Sequence, residues 1–197
     1  MSIATGLGDL LAKDEIRDAM ARYARGIDRR DEALVRSAYH EDSWDNHGWG
    51  LEGPGWEIAA MVRPDGGRFP DWTATQHFLG QHLIDVHGDD ATSEVYFQAI
   101  MRYAAEGLDW DFVSVGRYLD RWERRDGAFR IAARHVVYDY WRTDAVQTPW
   151  PGPDHDVPKM IHGGDRLNAS AVMGTSGPDD PSYELLRLPT RASGADA

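Results

Sequence analysis

The hydrophobic period of this chain changes near Thr73, and that change limits the possible folds more than any other feature. Before it, apolar residues recur every three to four positions, as in helices that bury one face. After it, four long segments follow a period near two, and Asp126-Gly127 between the last two is a strong hairpin signal. Helices followed by long strands predict an α+β fold, with N-terminal helices packed on a curved antiparallel sheet.

The helical part contains three predicted helices and one turn-rich stretch. The helices are expected at residues 10–27, 32–40 and 56–63, and the turn-rich stretch at 41–55. Asp31 is a candidate N-cap for the second helix, and Pro64 is expected to end the third. Within the turn-rich stretch, we expect Trp44 and Trp49 to lie in a short extended piece.

The four predicted strands carry apolar residues on both faces. The strands are expected at residues 73–87, 93–103, 112–125 and 129–142, with a loop at 105–111. Tyr96 stands beside Phe97, whereas a sheet with one face in water would alternate cleanly. We therefore expect one face to lie under the helices and the other to be covered, most simply by another subunit of a dimer or trimer.

The composition changes after Arg142, where proline, glycine and aspartate become frequent. We predict one domain over residues 1–142 and an irregular C-terminal arm over 143–197, packed on its own or a neighbouring subunit. One or two helical turns are expected at 181–188, and the final seven residues are typical of a disordered end.

Charge and cysteine content argue against several classes of function. The 21 Lys and Arg residues against 33 Asp and Glu give a net charge of −12, which is unfavourable for binding nucleic acid or an anionic membrane. With no cysteine, disulfides, thiolate metal sites and a cysteine nucleophile are absent. The sequence shows neither a secretory signal nor an apolar stretch long enough to span a bilayer, so we predict a cytoplasmic protein.

Asp28 is the residue of the first helix that breaks a local rule. It lies four positions after Ala24 and eight after Met20, so its carboxylate is directed at the buried face near the helix C-terminus. The helix macrodipole disfavours negative charge there, and such violations tend to mark functional sites. Capping of the next turn, or pairing with Arg29 or Arg30, explains the same residue equally well.

The chain from about Leu10 to Arg142 resembles the SnoaL-like family of the nuclear-transport-factor-2-like superfamily. The resemblance is to the group that holds scytalone dehydratase, hexachlorocyclohexane dehydrochlorinase and bile-acid 7α-dehydratase. It is carried by E-I-R-D-A-M-A-R-Y-A-R-G-I-D at 15–28, T-Q-H-F-L-G at 75–80 and G-R-Y-L-D-R-W-E-R-R-D-G-A-F-R-I-A-A-R at 116–134. It implies a cone-shaped α+β barrel, in a fold that hosts enzymes, cyclases and non-catalytic binding proteins.

The resemblance also implies a site. It places a catalytic dyad at Asp28 and His77, a charge-stabilising or substrate-anchoring arginine at Arg134, and a hydrogen-bond donor to substrate oxygen at Tyr23. The tyrosine favours an oxygen-bearing substrate, because the dehalogenating relative has a different residue there. From the residues alone, a neutral imidazole oriented by a buried carboxylate is a usable base near pH 7, while an isolated His77 is more simply a core histidine.

These features predict a cofactor-independent lyase acting on a hydrophobic, aromatic or cyclic oxygenated substrate, as in the catabolism of aromatic compounds. Dehydration, isomerisation, ring closure and loss of a small carbonyl fragment all fit. The alternatives are an isomerase or polyketide-cyclase-like enzyme, and a non-catalytic binder of small ligands. Eight Trp and eight Tyr suit a pocket for a flat ligand, although ordinary packing explains most of them. The candidate contacts to substrate are Tyr39, Trp44, Tyr118 and Tyr138.

No metal and no cofactor are predicted. His40, Asp42, Asp45 and His47 form a loose acidic cluster without the spacing of an H-E-x-x-H or H-x-H site. We interpret the cluster as a solvated loop, with His40 or His47 near the mouth of the pocket. A G-x-S-x-G elbow and a phosphate-binding loop are also absent.

Overall fold

The computed structural model describes residues 6–48, 50–63, 67, 72–146 and 174–186. The helices in these ranges are α1 (Leu7–Asp28), α2 (Glu32–Arg36), α3 (Gly55–Ala60) and α4 (Ser182–Leu185). The strands are β1 (Tyr39–Asn46), β2 (Glu52–Pro54), β3 (Trp72–His87), β4 (Asp90–Ala105), β5 (Leu108–Arg125) and β6 (Ala128–Ala145). The predicted α+β class, with helices preceding and packing on a long sheet, is confirmed.

The six strands form one open, mixed sheet in the order β2-β1-β6-β5-β4-β3. Strands β3 to β6 form the predicted antiparallel meander, joined by two-residue turns, of which Asp126-Gly127 was predicted. The sheet also contains a parallel pair that was not predicted, because β1 runs parallel to β6 and places Asp45 opposite Arg134. The meander separates β1 from β6 in sequence, so no hairpin dictates their relative direction.

Two stretches predicted as loops are strand. Residues 105–111 contain only the turn Glu106-Gly107, and the rest extends β4 and β5. Arg102 ties the two strands there, because its guanidinium donates to both carboxylate oxygens of Asp111 at 2.7 Å. The turn-rich stretch begins with residues 41–46 of β1, which include the extended piece expected at Trp44; its buried positions there, Ser43 and Asp45, are polar and therefore lack the apolar alternation of an ordinary strand. Strand β1 starts at Tyr39, so the second helix ends earlier than predicted.

Helix α1 covers the inner face of the sheet with a stripe that includes Ile16, Met20 and Tyr23. It begins three residues before the predicted start and ends at Asp28. Helix α2 follows at once, capped as predicted by Asp31, whose side chain accepts the backbone N–H of Leu34 at 2.9 Å. The stripe and the cap together fix where the end of α1 meets the sheet.

The segment 174–186 packs back on the end of α1. A salt bridge of 3.2 Å joins Arg29 to Asp180, and the Tyr183 hydroxyl donates to Asp31 at 3.1 Å. Helix α4 lies inside the predicted helical stretch 181–188. These contacts bring the later part of the chain close to the carboxyl end of α1.

Several predictions concern residues outside the described ranges. They are Trp49, the helix stop at Pro64, most of the loop that follows, and residues 147–173 and 187–197 of the predicted arm. Strand β6 continues to Ala145, three residues beyond the predicted domain boundary. Among the helices that the structure describes, none combines the length and the apolar character needed to cross a bilayer.

Candidate active site

A cavity of about 370 Å³ lies between the helices and the inner face of the sheet. This volume is within the range of small-molecule sites, and the walls are mostly apolar. Representative apolar residues of the wall are Ile27, Leu51, Phe97, Met101, Phe112 and Val136. Side chains that bring hydrogen-bonding groups to the wall are Tyr23, His47, His77, Ser114, Tyr118 and Tyr138. Within the described residues, no Asp, Glu, Lys or Arg lines the cavity, so the site suits a neutral ligand.

The structure brings Asp28 and His77 together, as the dyad prediction requires. Oδ1 of Asp28 lies 2.7 Å from Nδ1 of His77, and the backbone N–H of His77 donates to Oδ2 at 2.9 Å. Asp28 is the last residue of α1, and His77 pairs in register with Ala99 on the strand face that lines the cavity. The backbone of the strand that carries the histidine therefore anchors the carboxylate, and the carboxylate orients the imidazole.

This contact determines which nitrogen of His77 can act as a base. An ionised Asp28 accepts a hydrogen bond from Nδ1–H, so the neutral ring carries its lone pair on Nε2; the hydrogen bond thus indicates this tautomer. Among the residues that the structure describes, Nε2 of His77 has no hydrogen-bond partner. A ring held in this way, at the wall of an apolar cavity, can remove a proton from a bound ligand.

Tyr23 lies between the two histidines of the cavity. Its hydroxyl is 3.1 Å from Nε2 of His47, and its ring meets those of His77 and Tyr118 edge to face, at centroid distances of 6.5 and 5.6 Å. Burial raises the pKa of Tyr23 to about 12, although the charge of Arg134 acts in the opposite direction. The phenol therefore stays protonated at neutral pH and can donate a hydrogen bond.

Arg134 is fully buried and does not line the cavity. It donates to both oxygens of Asp120, at 2.7 and 2.8 Å, and its guanidinium carbon lies 4.2 and 4.3 Å from the ring centroids of Tyr23 and Tyr118. Burial opposes its charge, but contact with Asp120 outweighs burial and raises the pKa of Arg134 well above its ordinary value. Arg134 thus packs against the rings of the two tyrosines without reaching the cavity.

A second Asp-His pair, which the sequence interpretation missed, reaches the same cavity. Asp45 is 0% exposed; one of its oxygens accepts the Tyr39 hydroxyl, and the other contacts Nδ1 of His47. Burial disfavours the charge of Asp45, but His47 and Arg134 outweigh it and lower the pKa of the carboxyl. The sequence signal was the D-x-H spacing, which puts both side chains on one face of a strand.

The rest of the predicted acidic cluster lies elsewhere. The ring of His40 is buried, with Nε2 2.8 Å from the backbone oxygen of Glu123. The Asp42 side chain is exposed and pairs with Arg125 at 2.6 Å. Of the two histidines expected near the pocket mouth, His47 is the one that lines the cavity.

The predicted aromatic contacts divide into two groups. Tyr118 and Tyr138 line the cavity. Tyr39 lies behind it, fully buried against the ring of Tyr23 at a centroid distance of 5.9 Å, and Trp44 is half-exposed; neither lines the cavity.

Comparison with known proteins agrees with this architecture. The model of the SnoaL-like domain matches residues 8–135, which is more than half of the chain. The chain belongs to the SnoaL-like family. The resemblance noted in the sequence is thereby confirmed, while a search of the curated proteins finds no match.

Solved SnoaL-like and related structures share the fold at low sequence identity. Hexachlorocyclohexane dehydrochlorinase LinA-type3 from Novosphingobium barchaimii has a TM-score of 0.64 at 20% identity, over 74% of this chain and 99% of that one. A putative scytalone dehydratase from Novosphingobium aromaticivorans has a TM-score of 0.59 at 19% identity, over 76% and 97%. A nuclear transport factor 2-like superfamily protein from Salmonella enterica has a TM-score of 0.56 at 20% identity, over 66% and 92%.

Proposed function

We propose that this protein is a cofactor-independent lyase that eliminates an oxygen leaving group from a neutral, hydrophobic, aromatic or cyclic substrate. The observation that carries the proposal is the contact between Asp28 and His77 at the wall of the cavity. A buried carboxylate that orients an imidazole also stabilises the imidazolium formed when the ring takes a proton.

In the proposed reaction, Nε2 of His77 removes a proton from a carbon next to a carbonyl or aromatic ring. The electrons of the broken C–H bond form a new double bond, and the neighbouring C–O bond breaks with its electron pair on oxygen. The Tyr23 hydroxyl donates a hydrogen bond to that oxygen, where negative charge develops. Arg134 acts through the rings of Tyr23 and Tyr118 in this proposal, since it does not line the cavity.

The composition of the wall supports the proposed substrate class. An apolar surface with a few hydroxyl and imidazole groups favours a ligand with a flat hydrophobic body and few oxygen atoms. The dehydratase and dehydrochlorinase names among the structural neighbours agree with elimination chemistry, although those likenesses concern the fold.

A turnover assay tests the proposal. The purified protein is incubated with a panel of neutral aryl β-hydroxy ketones and cyclic analogues, and products are followed by ultraviolet absorbance and mass spectrometry. We expect a saturable conversion to the unsaturated ketone with loss of water. A product of unchanged mass would favour an isomerase or cyclase instead, and binding by calorimetry without any product would favour a non-catalytic binder.

A further inference from the structure

The second Asp-His pair is connected to the hydroxyl that faces the substrate in the proposed reaction. Asp45 contacts Nδ1 of His47, and Nε2 of His47 lies 3.1 Å from the Tyr23 hydroxyl. The contacts therefore run from carboxylate to imidazole to phenol, and both the imidazole and the phenol line the cavity. His77, which contacts its own carboxylate, meets the ring of Tyr23 edge to face at a centroid distance of 6.5 Å, so both pairs contact one tyrosine.

Another Asp-His pair in the same chain lies at the surface and allows a comparison. Asp85 and His87 have the same spacing, on β3, and their side chains are 3.1 Å apart. His87 is largely open to solvent, Asp85 is partly exposed, and neither lines the cavity. Asp45, in contrast, is fully buried and also accepts the Tyr39 hydroxyl, so its pair with His47 is held in one geometry.

We infer that Asp45 and His47 form a proton relay that supplies, through Tyr23, the proton received by the leaving oxygen. This inference rests on the proposed function and extends it: the site would contain a separate base and a separate acid, each an imidazole held by its own aspartate.

The relay solves a problem that Tyr23 alone would face. Donating its own proton would leave a buried tyrosinate, which burial disfavours, as the pKa of about 12 for Tyr23 shows. With a protonated His47, the Nε2–H bond breaks as the Tyr23 O–H bond breaks, and the phenol is neutral before and after the step. The leaving oxygen gains one proton, His47 loses one, and His77 gains the one taken from carbon. Exchange with solvent then restores both histidines.

The charged groups around His47 are compatible with this cycle. From the end of β1, two residues before His47, Asp45 stabilises the imidazolium and keeps Nδ1 protonated throughout. From α1 and β5, Tyr23 and Tyr118 present neutral phenols to the ring. Behind these, the positive charge of Arg134 is balanced by Asp120, which also lies on β5.

A leaving-group series tests the relay during turnover. The probes are aryl ketones with a hydroxyl, 4-nitrophenoxy or acetoxy group on the β-carbon; in this order the departing oxygen becomes less basic and has less need of a proton. We expect His47→Gln to lower kcat about 10²- to 10⁴-fold for the hydroxyl ketone, the usual value of general acid catalysis, and less than about 10-fold for the acetoxy ketone. His77→Gln should lower kcat for all three, because the base is needed in every case.

The exposed pair provides the matched control, since His87→Gln removes a histidine of the same spacing from the same domain and should change none of the rates. Circular dichroism and thermal unfolding of His47→Gln separate loss of fold from loss of chemistry. An equal loss for all three leaving groups, or no loss at all, would overturn the relay while leaving the proposed function intact. No turnover of any ketone by the wild-type protein would instead be a failure of the proposed function.

Nuclear magnetic resonance tests the contact between His47 and Tyr23 in the absence of substrate. In protein labelled with ¹⁵N-histidine, we expect the Nε2 resonance of His47 to shift in Tyr23→Phe and its tautomer to change in Asp45→Asn. The resonances of His87 should stay unchanged in both variants. A His47 ring that is insensitive to Tyr23→Phe would show that the two groups share no proton in solution, and the relay would be rejected whatever the kinetics.

Discussion

The guanidinium carbon of Arg134 lies 4.2 Å from the centre of the Tyr23 ring, on the side turned away from the cavity. The same guanidinium is paired through two hydrogen bonds with Asp120, and neither side chain is exposed. A charge in this position stacks on the ring of the proposed hydrogen-bond donor without touching the ligand. Removing the charge of Arg134 should therefore first of all change the free energy of unfolding.

We predict that Arg134→Met destabilises the protein by about 3–5 kcal/mol, because it leaves Asp120 buried and unpaired. Chemical denaturation measures the change. Arg117→Met is the matched control, since Arg117 pairs with Asp139 at the surface at 3.1 Å, and such pairs are worth about 1 kcal/mol or less. Equal losses in the two variants would contradict the buried-pair interpretation. The double variant Arg134→Met/Asp120→Leu should recover much of the stability lost in Arg134→Met.

Gly26 allows α1 and α2 to approach closely. A Cβ at this position would lie 2.6 Å from Cγ2 of Val35 and 2.8 Å from its backbone nitrogen. We predict that Gly26→Ala destabilises the fold by about 1–3 kcal/mol through overpacking. Gly8→Ala, in the same helix with nothing within 4 Å of its Cβ, should be neutral or stabilising by about 0.5–1 kcal/mol. Thermal unfolding of both variants gives the comparison, and a stable Gly26→Ala protein would show that α2 can move aside.

The contact between segment 174–186 and α1 should depend on pH. Burial opposes the charge of Asp180, but hydrogen bonds from Ser182 and Thr175, together with Arg29, lower its pKa to about 2. Because the folded pKa is below the ordinary value of about 4, the stabilisation is complete above pH 4 and is lost as the pH falls from about 4 to 2.

Hydrogen exchange at the Thr175 and Ser182 amides, expressed as protection factors, follows this transition. We expect Asp180→Asn to lose the protection already at neutral pH, whereas the exposed Asp179→Asn keeps it. Protection unchanged down to pH 2 would mean that other contacts hold the segment.

On the outer face of the sheet, Phe78, Val115 and Tyr140 lie in one line across the strands, together with the polar Gln98. Phe78 pairs with Gln98, Gln98 with Val115, and Val115 with Tyr140. Phe78 is 71% exposed, and large exposed apolar residues in one patch are typical of interfaces. We keep the prediction of a homo-oligomer and expect Phe78→Glu to weaken self-association in sedimentation velocity. Leu7→Glu, at a residue with the same exposed fraction on α1, is the control, and a monomeric wild-type protein would refute the prediction.

The position of the dyad could be predicted because two independent signals agreed. Helical phase placed Asp28 on the buried side of α1, and the period of two placed His77 in a strand. The family resemblance then joined them, and the structure finds their side chains 2.7 Å apart.

The second pair and the mixed sheet could not be predicted by the same reasoning. Strand β1 buries Ser43 and Asp45 at alternating positions, so hydrophobic periodicity does not reveal it. The glycines that follow β1 added turn signals and favoured a loop. Burial of Asp45 depends on Tyr39, His47 and the neighbouring strand β6, which are tertiary contacts that local sequence does not show.

The measurement that tests the central claim most directly is the turnover of His77→Gln and Asp28→Asn beside the control His87→Gln, on a ketone converted by the wild-type protein. A base acts mainly in the transition state, so His77→Gln should lower kcat about 10²- to 10⁴-fold with little change in KM. Asp28→Asn should also lower kcat, because an amide does not stabilise the imidazolium, and His87→Gln should behave as wild type. Near-normal turnover by folded His77→Gln and Asp28→Asn would contradict the dyad and place the base elsewhere in the cavity.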